Sequence, residues 1–159
     1  MLRLARLDPL AQLSQPQAMN LAELVQRVAA GVRDTAPQAW IVLDLAEDIA
    51  PVQGDSDLLE VALRNLIDNA IRYSPAGSEI VVALQTVERH VLLSVRDNGP
   101  GVPAQELPRL MERFYRGASV SAEGSGLGLT IVSRIAELHG AVLELTNRDG
   151  GGFEARLRW

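Results

Sequence analysis

The sequence predicts an α+β fold: a two-layer α/β sandwich, with a mixed, largely antiparallel sheet of about five strands packed on three helices. Two observations predict it. The final strand alternates cleanly, with Phe153, Ala155, Leu157 and Trp159 facing one way and Glu154, Arg156 and Arg158 the other, the pattern of an antiparallel strand with one buried face. Helical segments with a single apolar stripe lie between such strands and supply the second layer. The chain has 159 residues, 47% hydrophobic and 22% charged, enough for one domain with a sizeable core.

In chain order, Leu2, Leu4, Leu7, Leu10 and Leu13 recur at about helical spacing, so residues 1–14 read as the tail of an amphipathic helix with too few turns to stand alone. Residues 15–19, around Pro16, read as a linker, and 20–159 as the main domain. Asn20 is placed to cap a helix over 21–34, which carries Leu21, Leu24, Val25, Val28 and Val32 on one side. "AWIVLDL" (39–45) reads as a strand, and Asp55 as the cap of a long helix over 56–72. "SEIVVALQTV" and "HVLLSVRD" form a hairpin turning at Glu88–Arg89. A loop region with a short helix near 104–112 precedes a glycine-rich stretch, a helix over 127–139, and two closing strands joined at Asp149, Gly150 and Gly151. No internal repeat or low-complexity tract is present.

Composition narrows the function. The absence of cysteine excludes disulfides and thiolate chemistry. A net charge of −5 argues against nucleic acid as a partner. No apolar run approaches the ~20 residues of a bilayer span, and "MLRLARLDPLAQL" has no uncharged core of the kind a signal peptide needs.

Three stretches suggest a ligand site. In "DLLEVALRNLIDNAIRYSP" (57–75), Leu59, Leu63, Leu66, Ile67 and Ala70 share a core face, while Asn65, Asn69 and Arg72 form a separate stripe. Asparagine is a poor helix former, and an amide oxygen followed by a guanidinium suits a hard cation and phosphate. A solvated face is the alternative, because Glu60, Arg64 and Asp68 offer charge pairing along the helix. In "VRDNGPGVP" (95–103), Val91, Leu93, Val95 and Asp97 alternate on one strand face, so a carboxylate ends a row that points into the core. A buried charge needs a partner; a plain turn is the alternative. "EGSGLGLTIV" (123–132) opens a helix, and glycines at a helix N-terminus favour phosphate. It lacks the Gly-Lys-Ser/Thr of a P-loop and the strand–turn–helix setting of a dinucleotide fingerprint, and a simple helix-start loop stays open. Independent bland explanations for all three, in this order in one chain, are less economical than one site.

These motifs resemble those of the catalytic ATP-binding domain (HATPase_c, Bergerat or GHKL type) of bacterial two-component sensor histidine kinases, in particular membrane sensors that work with OmpR-type response regulators. "LRNLIDNAIRYSP" resembles the N box, "DNGPG" the G1 box, "ERFYRG" (112–117) the F box and "GSGLGLTIV" the G2 box. The resemblance covers about residues 20–159, and "LRLARLDPL" resembles the end of the second helix of the dimerisation domain.

The resemblance implies a Bergerat fold that binds ATP or ADP with Mg²⁺. It implies that Asn69 coordinates magnesium, with Asn65 one turn before it; that Arg72 contacts phosphate; and that Tyr73 lies beside the adenine. Asp97 would accept the adenine amino group with water helping, and Gly99 and Gly101 would shape its pocket. Gly124, Gly126 and Gly128, with the interleaved Leu127 and Leu129, would surround the phosphates, and Thr130 would hold the adenine-site water network. Phe114 and Arg116 would precede a short lid over 117–125, with Arg116 reaching the γ-phosphate or the partner domain. Hydrolytic relatives carry a glutamate where this chain has Asn65, so water attack is expected to be slow. The family's phosphoacceptor box is absent. His90, by the hairpin turn, and His139, ending the last helix where a cation is favoured, read as a solvated and a structural residue.

The expected function is therefore Mg–ATP binding and donation of the γ-phosphoryl group to a histidine on a separate dimerisation domain. That implies a cytoplasmic domain of an inner-membrane parent, the parent a homodimer and this piece a monomer. An anti-sigma-type serine kinase and a degenerate docking module are the alternatives.

Overall fold

The computed structural model describes residues 15–101, 103, 105 and 125–159. Among the described residues, two sheets and three helices follow in the order β1 (Gln17–Met19), α1 (Leu21–Thr35), β2 (Trp40–Leu45), β3 (Val52–Gly54), α2 (Ser56–Tyr73), β4 (Glu79–Val87), β5 (His90–Arg96), α3 (Ser125–Leu138), β6 (Val142–Asn147) and β7 (Phe153–Arg158). The main sheet has five strands in the order β2-β4-β5-β7-β6. Only the β2–β4 pair is parallel; the other three pairs are antiparallel. The expected mixed two-layer sandwich is the one formed. The expected helices at 1–14 and near 104–112 lie outside the described residues.

Each predicted boundary has a local cause. The Asn20 side chain accepts from the Glu23 N–H, and the Asp55 side chain from Asp57 N–H and Leu58 N–H, so both helices begin on caps that satisfy their free amides. The hairpin turns on Glu88 and Arg89, at φ of 50° and 71°. A two-residue turn with both φ values positive matches the twist of the flanking strands.

The core lies between the sheet and the helices. Leu59, Leu63, Leu66, Ile67 and Ala70 of α2 are all buried, as their spacing predicts, against Ile80, Val82 and Leu84 of β4 and Leu93 and Val95 of β5. Val28 and Val32 of α1 and Val132 and Ile135 of α3 join the same cluster. The expected charge pairing along α2 is not what forms among the described residues. Glu60 instead accepts from Arg27 of α1 at 3.4 Å, and Arg64 donates to Thr35 at 3.1 Å, so these polar groups tie two helices together.

The far face of the sheet is less wet than simple alternation implies. Ala83, Leu92 and Ser94 on that face are buried. Glu144 of β6 accepts from Arg156 at 2.7 Å and from Arg158 at 3.0 Å, and the aliphatic stems of such side chains cover apolar surface while their heads stay in water. At the β2 edge, Arg33 of α1 donates to the Ile41 carbonyl at 2.8 Å.

Gln17–Met19, predicted as linker, is instead a strand, paired antiparallel with β3 in a two-stranded sheet with Met19 buried. Pro16 and the polar neighbours hid it, because three residues are too few to show a period.

Candidate functional site

The polar edge of α2 supplies one wall. Asn65 and Asn69 are half-buried and Arg72 and Tyr73 exposed, so the predicted stripe runs from the helix's packed side outwards. Asn65 donates from Nδ2 to the Val61 carbonyl at 2.9 Å. Its Oδ1 faces α3, 3.4 Å from where a Cβ on Gly128 would lie. No described residue hydrogen-bonds the Asn69 amide.

The second wall is the turn after β5. Val91, Leu93, Val95 and Asp97 are all buried, as the alternation predicts, with Asp97 only 5% exposed. The buried carboxylate also has partners within the protein. Its Oδ1 already accepts from Gly99 N–H at 2.9 Å and Phe153 N–H at 3.2 Å. Two main-chain amides suffice to hold a buried carboxylate oxygen. Among the described residues none donates to Oδ2, which leaves one oxygen as an acceptor. The glycines here are required by contact. A Cβ on Gly99 would meet the Tyr73 carbonyl at 2.6 Å, and Gly101 has φ of +78° with Asn147 Oδ1 2.8 Å from its missing Cβ.

The start of α3 is the third wall. The helix begins at Ser125, so Gly126, Leu127 and Gly128 lie in its first turns and not in a loop before it. Leu129 is 2% exposed, with its side chain in the core. Thr130 is half-buried. Gly124, Arg116 and Phe114 lie outside the described residues, as does the predicted lid up to residue 124.

These walls converge on α2. Asn65 meets Gly128 towards its middle and Tyr73 meets Gly99 at its end. Those points are about 12 Å apart along the axis, with Asn69 midway. That length suits a base at one end and phosphates at the other. The donor set also fits a magnesium ion. Among the described residues no three His, Cys, Asp or Glu side chains could hold a metal, and a lone amide oxygen suits a cation that arrives with phosphate oxygens and water.

The two histidines sit in different settings. His90 is exposed, with Nδ1 on the Trp159 carbonyl. His139 is buried: Nδ1–H donates to the Ile135 carbonyl at 2.8 Å and Nε2 accepts from Asp55 N–H at 3.1 Å. Burial lowers its pKa, against the smaller upward pull of the Ile135 hydrogen bond and the Asp55 charge. It is thus a neutral tie between α3 and the cap of α2, not the helix-end cation that its position suggests. Gly54 makes room for it, since a Cβ there would lie 2.5 Å from the ring.

Sequence reasoning missed the buttress behind Asp97. Arg148 donates from Nη1 to the Asp97 carbonyl at 2.9 Å and to Asn98 Oδ1 at 3.0 Å. Gly152, at φ of +99°, lies so close that a Cβ would stand 2.0 Å from the Asp97 carbonyl oxygen. The run "RDGGGF" (148–153) was the available signal, since three glycines exceed what a two-residue hairpin turn requires.

Residues 54–159 match the family described as histidine kinase-, DNA gyrase B-, and HSP90-like ATPase, and the chain belongs to that family. Its relatives place it more narrowly, among the catalytic domains of sensor histidine kinases. Sensor protein QseC of Escherichia coli strain K12 is 44% identical over 161 residues, which cover 100% of this chain and 35% of QseC; the chain thus spans about a third of that relative. The mycobacterial sensor histidine kinase MprB superposes with a TM-score of 0.73 at 31% identity, covering 90% of this chain and 95% of that one. Full-length ShkA in complex with AMPPNP superposes with a TM-score of 0.80 at 26% identity, covering 99% of this chain and 33% of that one.

Proposed function

We propose that this domain binds Mg–ATP between α2, the Asp97 turn and the start of α3, and donates the γ-phosphoryl group to a histidine on a separate dimerisation domain. The observation that carries the reading is the Asp97 carboxylate, buried at a strand end with Oδ1 held by two amides and Oδ2 left to accept. A fixed acceptor of this kind selects an amino group, as on adenine. The AMPPNP complex of ShkA supports a nucleotide in the same fold.

In this reading Tyr73 lies against the base, with Gly99 and Gly101 allowing the turn to approach it and Thr130 on its water network. Asn69 would hold the magnesium ion, which when bound neutralises phosphate charge. Arg72 and the main chain of residues 124–128 would engage the phosphates, Asn65 their γ-end, and Arg116 the γ-phosphate or the acceptor domain. Transfer needs positioning and charge neutralisation more than covalent chemistry from the protein. An acceptor imidazole nitrogen forms the new bond to the γ-phosphorus. The bond to the bridging oxygen breaks, ADP leaves with that electron pair, and the imidazole's other nitrogen releases its proton to solvent. With Asn65 in place of a carboxylate, that position offers no general base to activate water.

The same reading assigns residues 1–14 to the second dimerisation helix, ahead of β1. It places the parent as a homodimer in the inner membrane, with an OmpR-class response regulator downstream. Calorimetric titration with ADP and a non-hydrolysable ATP analogue, with and without Mg²⁺, tests it. Magnesium-sensitive binding is expected; no binding at millimolar nucleotide would overturn it.

A further inference from the structure

The segment carrying Asp97 rides on the β6–β7 turn. Asp97 N–H donates to the Phe153 carbonyl at 3.0 Å, and Phe153 N–H returns a bond to Oδ1. The turn is closed on itself by Arg148 N–H to the Gly152 carbonyl at 2.9 Å. From it Arg148 reaches across to the Asp97 carbonyl and the Asn98 amide. Among the described residues no carboxylate pairs with Arg148. A guanidinium directed at a main-chain carbonyl fixes geometry more than it balances charge. Without it, the carbonyl between Asp97 and Asn98 loses its side-chain donor, and the turn that presents the Gly99 amide to the carboxylate loses one of its restraints.

We infer that Arg148 is a positioning residue for base selection, holding the Asp97–Gly99 turn so that Asp97 Oδ2 meets the amino group of adenine. The inference rests on the adenine role proposed for Asp97. It predicts a specific loss. Inosine diphosphate carries a carbonyl oxygen where ADP carries the amino group, so a correctly held carboxylate accepts from ADP and repels inosine diphosphate. A misplaced carboxylate distinguishes them poorly.

The test is calorimetric titration of the wild-type chain, Arg148→Met, Arg148→Lys, Asn98→Ala and Asp97→Asn with ADP and with inosine diphosphate. Wild type is expected to prefer ADP. Arg148→Met should cut that preference about tenfold, Arg148→Lys should keep most of it because an ammonium can serve both acceptors, and Asn98→Ala should reduce it in the same direction. A purely stabilising Arg148 would weaken both nucleotides alike and leave the ratio unchanged. An unchanged ratio in Arg148→Met overturns the inference alone; if that variant does not fold, an unchanged ratio in Asn98→Ala does so. Wild type that binds both equally, or Asp97→Asn with wild-type ADP affinity, removes the adenine role of Asp97 and this inference with it.

Discussion

Asp97 gives one carboxylate oxygen to two main-chain amides, and among the described residues none donates to the other. Converting it to asparagine keeps the shape but puts an NH₂ group where an acceptor is needed. Asp97→Asn is expected to weaken ADP binding at least about tenfold, from the loss of a charge-assisted hydrogen bond, as read by calorimetry; wild-type affinity would refute the assignment. Asn69 makes a different prediction. Asn69→Ala should abolish the magnesium-dependent part of nucleotide affinity while leaving magnesium-free ADP binding within about threefold. His139 belongs to stability and not to binding. Its pKa is lowered from 6.5 mainly by burial, so the unfolded chain takes up a proton more readily than the folded one. The stability this group contributes is complete above about pH 6.5 and is lost as pH falls through the lower folded-state value. Urea midpoints measured from pH 8 to pH 5 should fall more steeply for wild type than for His139→Asn; parallel curves would show that another group carries the acid limb.

Elements differ in how openly the sequence declares them. The long helix was legible down to its cap because Asp55 starts it and five apolar residues repeat at one period. Its polar edge was visible because asparagines do not belong there by propensity. What stayed hidden was set by contacts distant in sequence. The β1–β3 pair is short. His139 reads as a helix-end cation until Gly54 and Asp55 N–H are seen against it. The amides that hold Asp97 come from Gly99, two residues on, and from Phe153, on another strand. The β6–β7 turn is therefore the element whose importance was least apparent. Gly152→Ala would drive a methyl group into the Asp97 carbonyl at a positive φ. It is expected to destabilise the domain by about 2–4 kcal/mol and to weaken ADP binding, whereas Gly150→Ala, with nothing within 4 Å of the added Cβ, should bear only the backbone strain. Denaturant unfolding of the two variants checks the contrast.

At the scale of the whole molecule, the proposed function makes the domain a phosphoryl donor that needs an acceptor. Mixed with ATP, magnesium and a separately produced dimerisation domain bearing its histidine, the chain is expected to label that domain with γ-phosphate and to hydrolyse ATP only slowly by itself. Labelling of serine instead would favour the serine-kinase alternative. The sheet order adds a consequence for how the site comes into being. The β4–β5 hairpin closes locally and can form early, but its neighbour on the other side is β7, and the amide that Phe153 gives to Asp97 lies 56 residues further along. Closing so long a loop is entropically unfavourable until many contacts compensate it. A chain that has made its hairpin but not yet docked β7 therefore carries Asp97 without one of its two amides and without Arg148. In the proposed function, competence to read the base arrives with the β5–β7 pairing, so nucleotide added during refolding should bind, and stabilise, only molecules in which β7 has already docked.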